Sequence, residues 1–364
     1  MKTKRVSNRM VALLMFLAGA MITSAQVVTV DGLSFYLDET GHEAVVVDVN
    51  TCSGELNIPS EISNNGQTFI VTGMVWNAFF DCHELTKVRI PKTLDHVVHH
   101  ALSDNNTVVG GAAGATASAV SPYLMNPFVG CTALAAVEVD KDNPNMSSSD
   151  GILFSKDKSQ LYCYPAGLQA ASYVVPEDVT WVGDNAFAGN VSLTFVQFPV
   201  HLKNLPGGIF DGCLQLKEVN LPDGLVHIGA FSFRNCSSLQ HIEIPATVTH
   251  IGEYAFMGCS SLASVVINGV INAQYGTGDV FSGLDSLAII YVLPTELERY
   301  QQWYKGQVLP LGTYAYDSTV GIATPPSRPC RSAASPLFDL QGRRFSVQPQ
   351  RGVYIQDGRK KVAK

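Results

Sequence analysis

The chain has 364 residues, 46% of them apolar and 15% charged, enough to bury a substantial core and too much for a single small domain. The net charge of −7 hides a division, because residues 320–364 hold nine basic and two acidic side chains and residues 1–25 hold four basic ones, leaving a net of −18 on residues 26–319. An acidic body of that kind repels phosphate backbones, which excludes nucleic acid as a partner.

The first element is an export signal. Lys2, Lys4, Arg5 and Arg9 precede an apolar run over 10–22, and Thr23, Ser24 and Ala25 supply small residues ahead of Gln26. Thirteen apolar residues are too few to span a bilayer, so residues 1–25 read as a signal peptide and not as a membrane anchor.

Beyond it the chain repeats. A spacing of Phe, Cys and Leu three residues apart occurs at Phe79/Cys82/Leu85, Phe128/Cys131/Leu134, Phe210/Cys213/Leu216, Phe233/Cys236/Leu239 and Phe256/Cys259/Leu262. Asn190 takes the Cys position between Phe187 and Leu193, and Leu284 takes it between Phe281 and Leu287. Successive Phe residues lie 49, 59, 23, 23, 23 and 25 apart. The step of 49 contains a worn copy at Leu102, Asn105 and Val108, then a Gly/Ala/Ser-rich excursion over 109–127. The step of 59 contains one extra loop, DNPNMSSSDGILFSKDKSQLYCYPAG, over 142–167.

After each Leu the chain alternates and meets proline, as in LTKVRIP (85–91), LTFVQFP (193–199), LKEVNLP (216–222) and LQHIEIP (239–245); ELNIP (55–59) and SYVVP (172–176) do the same. Alternation of period two predicts a strand, and proline ends it because it donates nothing to a ladder. One strand, one turn and one Phe-bearing bend per 23 residues describes a coil of a β-rich repeat solenoid, whose apolar edge is buried only by the next coil.

The phrases IPATVTHIGEYAFMGCSSL and VEVDKDNPNMSSSDGILFSKDKSQLYCYP resemble the BspA-type leucine-rich repeats of bacterial surface proteins, over about residues 28–310. VDGLSFYL (30–37) and SEISNNGQTFIVTGMVWNAF (60–79) resemble that family's opening strands, an N-terminal β cap, and first coil. The resemblance implies a surface protein that attaches to host matrix proteins, host cells or other microbes.

Further along, PTELERYQQWYKG (294–306) predicts a short helix that caps the last coil, with Thr295 and Glu298 at capping-box spacing, Leu297, Tyr300 and Tyr304 as its apolar stripe, and Gly306 as its stop. Residues 320–336 hold four prolines and read as an extended linker. Residues 337–364 read as short strands with turns at Gln341-Gly342 and Asp357-Gly358, and this basic β tail resembles the C-terminal sorting segments of secreted Bacteroidetes proteins, though shorter. As a whole, then, the expected order is signal peptide 1–25, capped repeat domain 26–319, linker 320–336 and tail 337–364.

Nothing in the chain assembles into an enzyme's site, and no cofactor is expected. The Cys position accepts Asn and Leu, so it reads mainly as a packing position, although Cys213, Cys236 and Cys259 stack about one strand spacing apart, within disulfide reach. Cys52, Cys163 and Cys330 lie off the repeat. In DHVVHH (95–100), His96 and His100 have the spacing of helical metal sites, but HExxH is absent and loop histidines are the better reading. DKDNPNMSSSDG (140–151) lacks the Gly and Glu of a calcium loop.

The remaining candidate is a surface. If Val219, Ile242, Ile244, Val265 and Ile267 point inward, then Lys87, Arg89, Phe195, Gln197, Glu218, Asn220, His241, Glu243 and Tyr291 point outward. Trp181, Asn204, His227 and His250, each five past a strand proline, form a second column. About ten coils at ~4.8 Å make a face near ~50 Å long, which suits an extended extracellular protein or glycan. Three roles follow from it: an adhesion module, an accessory glycan-binding protein, or a structural part of an outer-surface assembly anchored by the tail.

Overall fold

The computed structural model describes residues 26–311 apart from 40, 51, 99–124, 273–279, 282–283 and 285–287, together with the backbone of 337–338, 344–345, 352–356 and 359–363. The signal segment, the worn copy at Leu102, Asn105 and Val108, and the linker lie outside the described residues, as does most of the 109–127 excursion.

Strands β1 (Gln26–Val30), β2 (Leu33–Asp38) and β3 (Glu43–Val49) run antiparallel in sequence order, and their alternation buries Leu33, Phe35, Ala44 and Val46 on one face. Then follow β4 (Ser53–Asn57), β5 (Glu61–Asn64), β6 (Gln67–Val75), β7 (Glu84–Ile90), β8 (His96–Val98) and β9 (Ala136–Val139). Pairing turns parallel here: β3 to β6 to β8 in one sheet, β4 to β7 to β9 in another. Parallel neighbours need a crossover between them; the Phe79 bend lies in those from β4 to β7 and β6 to β8, and the Phe128 bend in that from β7 to β9. His96 lies on strand β8, with Nδ1 2.6 Å from Asp95 Oδ1, and not in a loop; His100 lies outside the described residues.

Residues 142–167, expected as a loop, contain an antiparallel set of β10 (Met146–Ser149), β11 (Ile152–Ser155) and β12 (Gln160–Cys163). Buried Asn143 holds its entry: Nδ2 donates to the carbonyls of Pro91 and Leu94, and Oδ1 accepts from the amides of Asn145 and Met146. The described core splits at this excursion. Leu153, Tyr162 and Cys163 face the N-terminal cluster with Phe79 and Phe128, whereas Phe154, Leu161 and Tyr164 face the C-terminal cluster. The single unbroken column implied by the repeat is therefore two cores that share one set of strands: on β11, Ile152 and Phe154 face one cluster and Leu153 between them faces the other, because successive strand residues face opposite sides.

The regular array contains β13 (Ser172–Val174), β14 (Trp181–Val182), β15 (Phe195–Gln197), β16 (Asn204–Leu205), β17 (Glu218–Asn220), β18 (His227–Ile228), β19 (His241–Ile244), β20 (His250–Ile251), β21 (Ser264–Ile267) and β22 (Ile289–Val292). All pair in parallel: β13-β15-β17, β16-β18-β20 and β19-β21-β22. Paired residues stand one repeat apart, as His241 does from Ser264, 23 positions on. The bends bond too: Phe210 N–H donates to Ser232 O at 2.9 Å and Phe233 N–H to Ala255 O at 2.8 Å. Gly252 permits this closeness, since a Cβ there would lie 2.2 Å from the Ala230 nitrogen. Inside, Tyr164, Phe187, Phe210, Phe233, Phe256 and Phe281 follow one another with centroids 5.1, 5.3, 5.6, 5.6 and 6.2 Å apart.

The Cys position bonds as well as packs. The Sγ of Cys131, Cys213, Cys236 and Cys259 donate to the carbonyls of Phe79, Phe187, Phe210 and Phe233 at 3.0–3.2 Å. Burial pushes Cys131, Cys213 and Cys259 up to about 12, so the thiols stay protonated and remain donors. Asn190 does the same work with Nδ2, to Pro165 O and Leu168 O, and its Oδ1 accepts from the amides of Ser192 and Leu193.

None of Cys213, Cys236 and Cys259 is bridged; the disulfide joins Cys52, off the repeat, to Cys82, on it, across 30 residues. Closing a loop of that length restricts the unfolded chain by about 3.6 kcal/mol. Replacing both cysteines by serine should lower the unfolding free energy by about that much, read as a drop in the urea midpoint, and a reductant should reproduce it in the wild type.

At the C-terminal end a 3-10 turn, Pro294–Glu296, leads into α1 (Leu297–Trp303), and β23 (Gln307–Pro310) then pairs with β22. The capping box is not made: Pro294 starts the helical path early, Thr295 falls inside the turn, and the flanking residue Glu296 makes no side-chain cap. The helix stops at extended Tyr304, before Gly306; glycine is needed at 306 because a Cβ would lie 2.4 Å from the Tyr304 ring. Tyr300 and Tyr304 are buried with centroids 6.2 and 5.9 Å from Phe281, so the apolar stripe packs on the end of the aromatic row. In the tail, β24 (Leu337–Phe338), β25 (Arg344–Phe345), β26 (Gly352–Gln356) and β27 (Arg359–Ala363) pair antiparallel in the order β25-β24-β26-β27.

Candidate functional site

The strands sort the sequence-predicted surface into three groups. Lys87 and Arg89 stand side by side on β7, between Glu55 of β4 and Glu138 of β9. Lys87 Nζ lies 3.0 Å from Glu138 and 3.8 Å from Glu55, while Arg89 lies 2.8 Å from Glu138 and 2.9 Å from Glu55. Both hydrogen-bonded cations hold the Glu138 carboxyl below the usual carboxylate range. This patch satisfies its own charges across three strands.

The second group is the outer face of β15, β17 and β19. In register, Phe195 pairs with Glu218 and Gln197 with Asn220, and β19 contributes His241 and Glu243. Glu218, Asn220 and Glu243 are exposed, Gln197 and His241 are half-buried, and the alternate residues Val196, Ile242 and Ile244 are buried. His241 Nδ1 lies 2.7 Å from Ser264 Oγ, and Asn268 Nδ2 donates to Glu243 Oε1 at 2.8 Å.

Two expected members fail. Phe195 is only 7% exposed and Tyr291 only 5%. Both point away from the inner core but touch apolar side chains on adjacent strands: Phe195 meets Val174, and Tyr291 meets Val266 and Ile289 with Leu309 and Leu311 beside them. Apolar neighbours one strand spacing apart close over one another and exclude water. The outward face is thus polar in its middle and apolar at its two ends.

The third group is the second column. Asn204, His227 and His250 align on β16, β18 and β20, with Leu205, Ile228 and Ile251 buried beneath them. The imidazoles of His227 and His250 have centroids 4.7 Å apart. Trp181 is half-buried and meets Tyr162 edge-on at 6.2 Å, so it belongs more to packing than to the open surface.

Burial lowers the His241 ring below its ordinary 6.5, against Glu243 and the Ser264 contact, and burial followed by the His250 charge lowers His227. A folded-state value below the unfolded one means that protons favour the unfolded chain. Stability should therefore be level above pH 6.5 with respect to these groups and fall on acidification through and below it. A series of urea melts checks this, and His241→Gln should flatten the slope.

A feature of the bends escaped the sequence reading. Phe231 and Tyr254 occupy the left-handed region at φ 59° and 56°, stack at 5.5 Å with planes 10° apart, and remain half-exposed. Gly208 and Asn185 hold the same conformation one and two repeats before Phe231. Arg234 lies 4.8 Å over the Phe231 ring and forms a two-pronged pair with Asp211. The signal was present in the repeated phrases IGAFSF and IGEYAF, but nothing in the letters marks a left-handed aromatic residue.

Among the described residues no cluster of three or more His, Cys, Asp or Glu side chains converges on a metal position, and no helix is long and apolar enough to cross a membrane. What the geometry offers is a ladder: parallel strands of two columns, each with one polar side outward.

The repeats of this ladder are similar to leucine-rich repeats. Residues 161–298 match the model of the BspA type leucine rich repeat region in six copies. Among solved structures it is similar to the pneumococcal vaccine antigen PcpA, at 16% identity over 79% of this chain and 99% of that one, with a TM-score of 0.47. It is also similar to a leucine rich cell surface protein of Faecalibacterium prausnitzii, at 17% identity over 70% of this chain and 99% of that one, TM-score 0.35. A leucine-rich repeat protein of Bacteroides ovatus matches at 18% identity over 73% of this chain and 70% of that one, TM-score 0.34. No curated protein matches the chain.

Proposed function

We propose that this is an exported, non-enzymatic adhesion protein whose repeat face binds a host or microbial extracellular protein carrying a basic surface. The observation that carries it is the outward ladder of Gln197, Glu218, Asn220, His241 and Glu243, polar and accessible over three successive strands while the alternate residues fill the core. An open polar face that carries two carboxylates recognises another macromolecule's surface better than it encloses a small molecule. The net charge of −18 on residues 26–319 favours encounter with a cationic partner and rejects an anionic one. In this reading residues 1–25 direct export, 26–319 bind, 320–336 space the binding domain from what lies beyond, and 337–364 serve attachment or sorting.

The test is retention of the chain on a panel of immobilised extracellular matrix and cell-surface proteins, measured by surface plasmon resonance. Glu218→Lys with Glu243→Lys should weaken a positive interaction by about tenfold or more and reduce its salt dependence. Binding that ignores this charge reversal, or absence of binding across the panel, would overturn the proposal.

A further inference from the structure

We infer that His227 and His250 form a two-imidazole chelate for a divalent transition-metal ion on the outside of the β16-β18-β20 ladder. The two residues are direct register partners on parallel strands, and the residues after them, Ile228 and Ile251, are buried, so both imidazoles leave the ladder on the same side. Their ring centroids are 4.7 Å apart with planes tilted by 30°. Two nitrogens that each sit about 2 Å from one ion are themselves about 3 Å apart, and the pairing of His227 with His250 on adjacent strands holds the two rings close to that requirement. The strand pairing has already brought the ligands together, so little ordering remains for the metal to impose.

The surroundings favour coordination over simple stacking. Thr249 Oγ1 lies 2.8 Å from His250 Nδ1 and orients that ring; in the tautomer whose Nδ1–H donates to the hydroxyl, Nε2 keeps its lone pair for the metal, as outer contacts orient metal-bound imidazoles. Asn204 continues the column one strand away and places a polar side chain, not an apolar one, beside the pair. Imidazole nitrogens suit copper, nickel and zinc and do not suit magnesium or calcium. Since no third His, Cys, Asp or Glu converges among the described residues, the other coordination positions go to water or to donor atoms of a second molecule. The inference does not depend on the protein-binding reading, because the chelate needs only this chain.

The experiment is calorimetric titration of the tag-free chain with Cu2+ and with Zn2+, joined to electron paramagnetic resonance of the Cu2+ form. The expected result is one saturable site per chain, with nitrogen coupling from two imidazoles. His227→Ala, His250→Ala and the milder His227→Gln should each weaken Cu2+ binding by about tenfold or more and leave coupling to one imidazole. His83→Ala, a surface histidine with its Nδ1 2.8 Å from the Gly130 carbonyl, should change nothing. Far-UV circular dichroism identifies any variant that fails to fold, in which case the Gln variant decides. Absence of a saturable site in the wild type, or binding undiminished in the folded His227 or His250 variants, would overturn the chelate whether or not a protein ligand has been found.

Discussion

Phe233→Ala is expected to lower the unfolding free energy by about 3–5 kcal/mol, read from the shift of the urea midpoint. Phe233 is fully buried, with the Phe210 and Phe256 rings each 5.6 Å away, so truncation removes contacts at two coil interfaces at once. The gap has little means of closing. The Phe210 and Phe233 amides are tied to the next coil by backbone bonds, and Cys236 and Cys259 tie the carbonyls of the same two residues. Two residues away, Phe231 is half-exposed, and its truncation should cost about 1 kcal/mol, the stacking of one ring on Tyr254. A ranking in which Phe231→Ala is the more damaging would mean that the inner row does not hold the coils together.

Asn190→Leu is expected to be comparably severe, at about 4 kcal/mol. Leu284 shows that leucine is accepted at the equivalent position of another coil, so volume alone forecasts a mild effect. The hydrogen bonds forecast the opposite. Asn190 is fully buried and serves two carbonyls and two amides, all of which lose their partner, and each buried group left unpaired costs about 1–3 kcal/mol. Asn190→Cys should recover part of the loss, because a thiol supplies one donor, as in the next three coils. Thermal melts of the two variants side by side separate the explanations: equal damage from Leu and Cys would show that this position is not a hydrogen-bonding one.

The difference between these two residues shows what the letters could carry. Phe233 was legible because a buried aromatic residue recurs at a fixed interval and its role is the same in each coil. Asn190 was legible only as an exception to Cys, and the exception pointed the wrong way. Cys and Asn look unlike in size and polarity, yet both send a donor to a backbone carbonyl of the preceding coil, and that shared act is visible only in three dimensions. Tyr164 was missed for a related reason. It stands 23 residues before Phe187 and stacks on it at 5.1 Å, but the surrounding phrase reads as an insertion and not as a coil.

The candidate surface was legible in direction and not in accessibility. Alternation assigned Phe195 and Tyr291 outward, and the strands do turn them away from the inner core. Whether an outward side chain meets water depends on its neighbours across the ladder, which lie a whole repeat away in the chain. Glu218, beside Phe195 in register, is exposed, whereas Phe195 is covered together with Val174. The same holds for Lys87 and Arg89, whose outward position is a property of their own strand. Their engagement by Glu55 and Glu138 is a property of the strands on either side.

By itself the sequence determined the repeat, its interval, the strands that end at proline and the aromatic row, because each coil meets the same packing demand and answers it locally. Only the tertiary structure decided the division of the core at residues 142–167, the Cys52–Cys82 bridge, the left-handed aromatic bends and which outward side chains are covered. Those features rest on contacts between residues far apart in the chain, and a periodic pattern records what each coil repeats, not what a particular pair of coils does to one another.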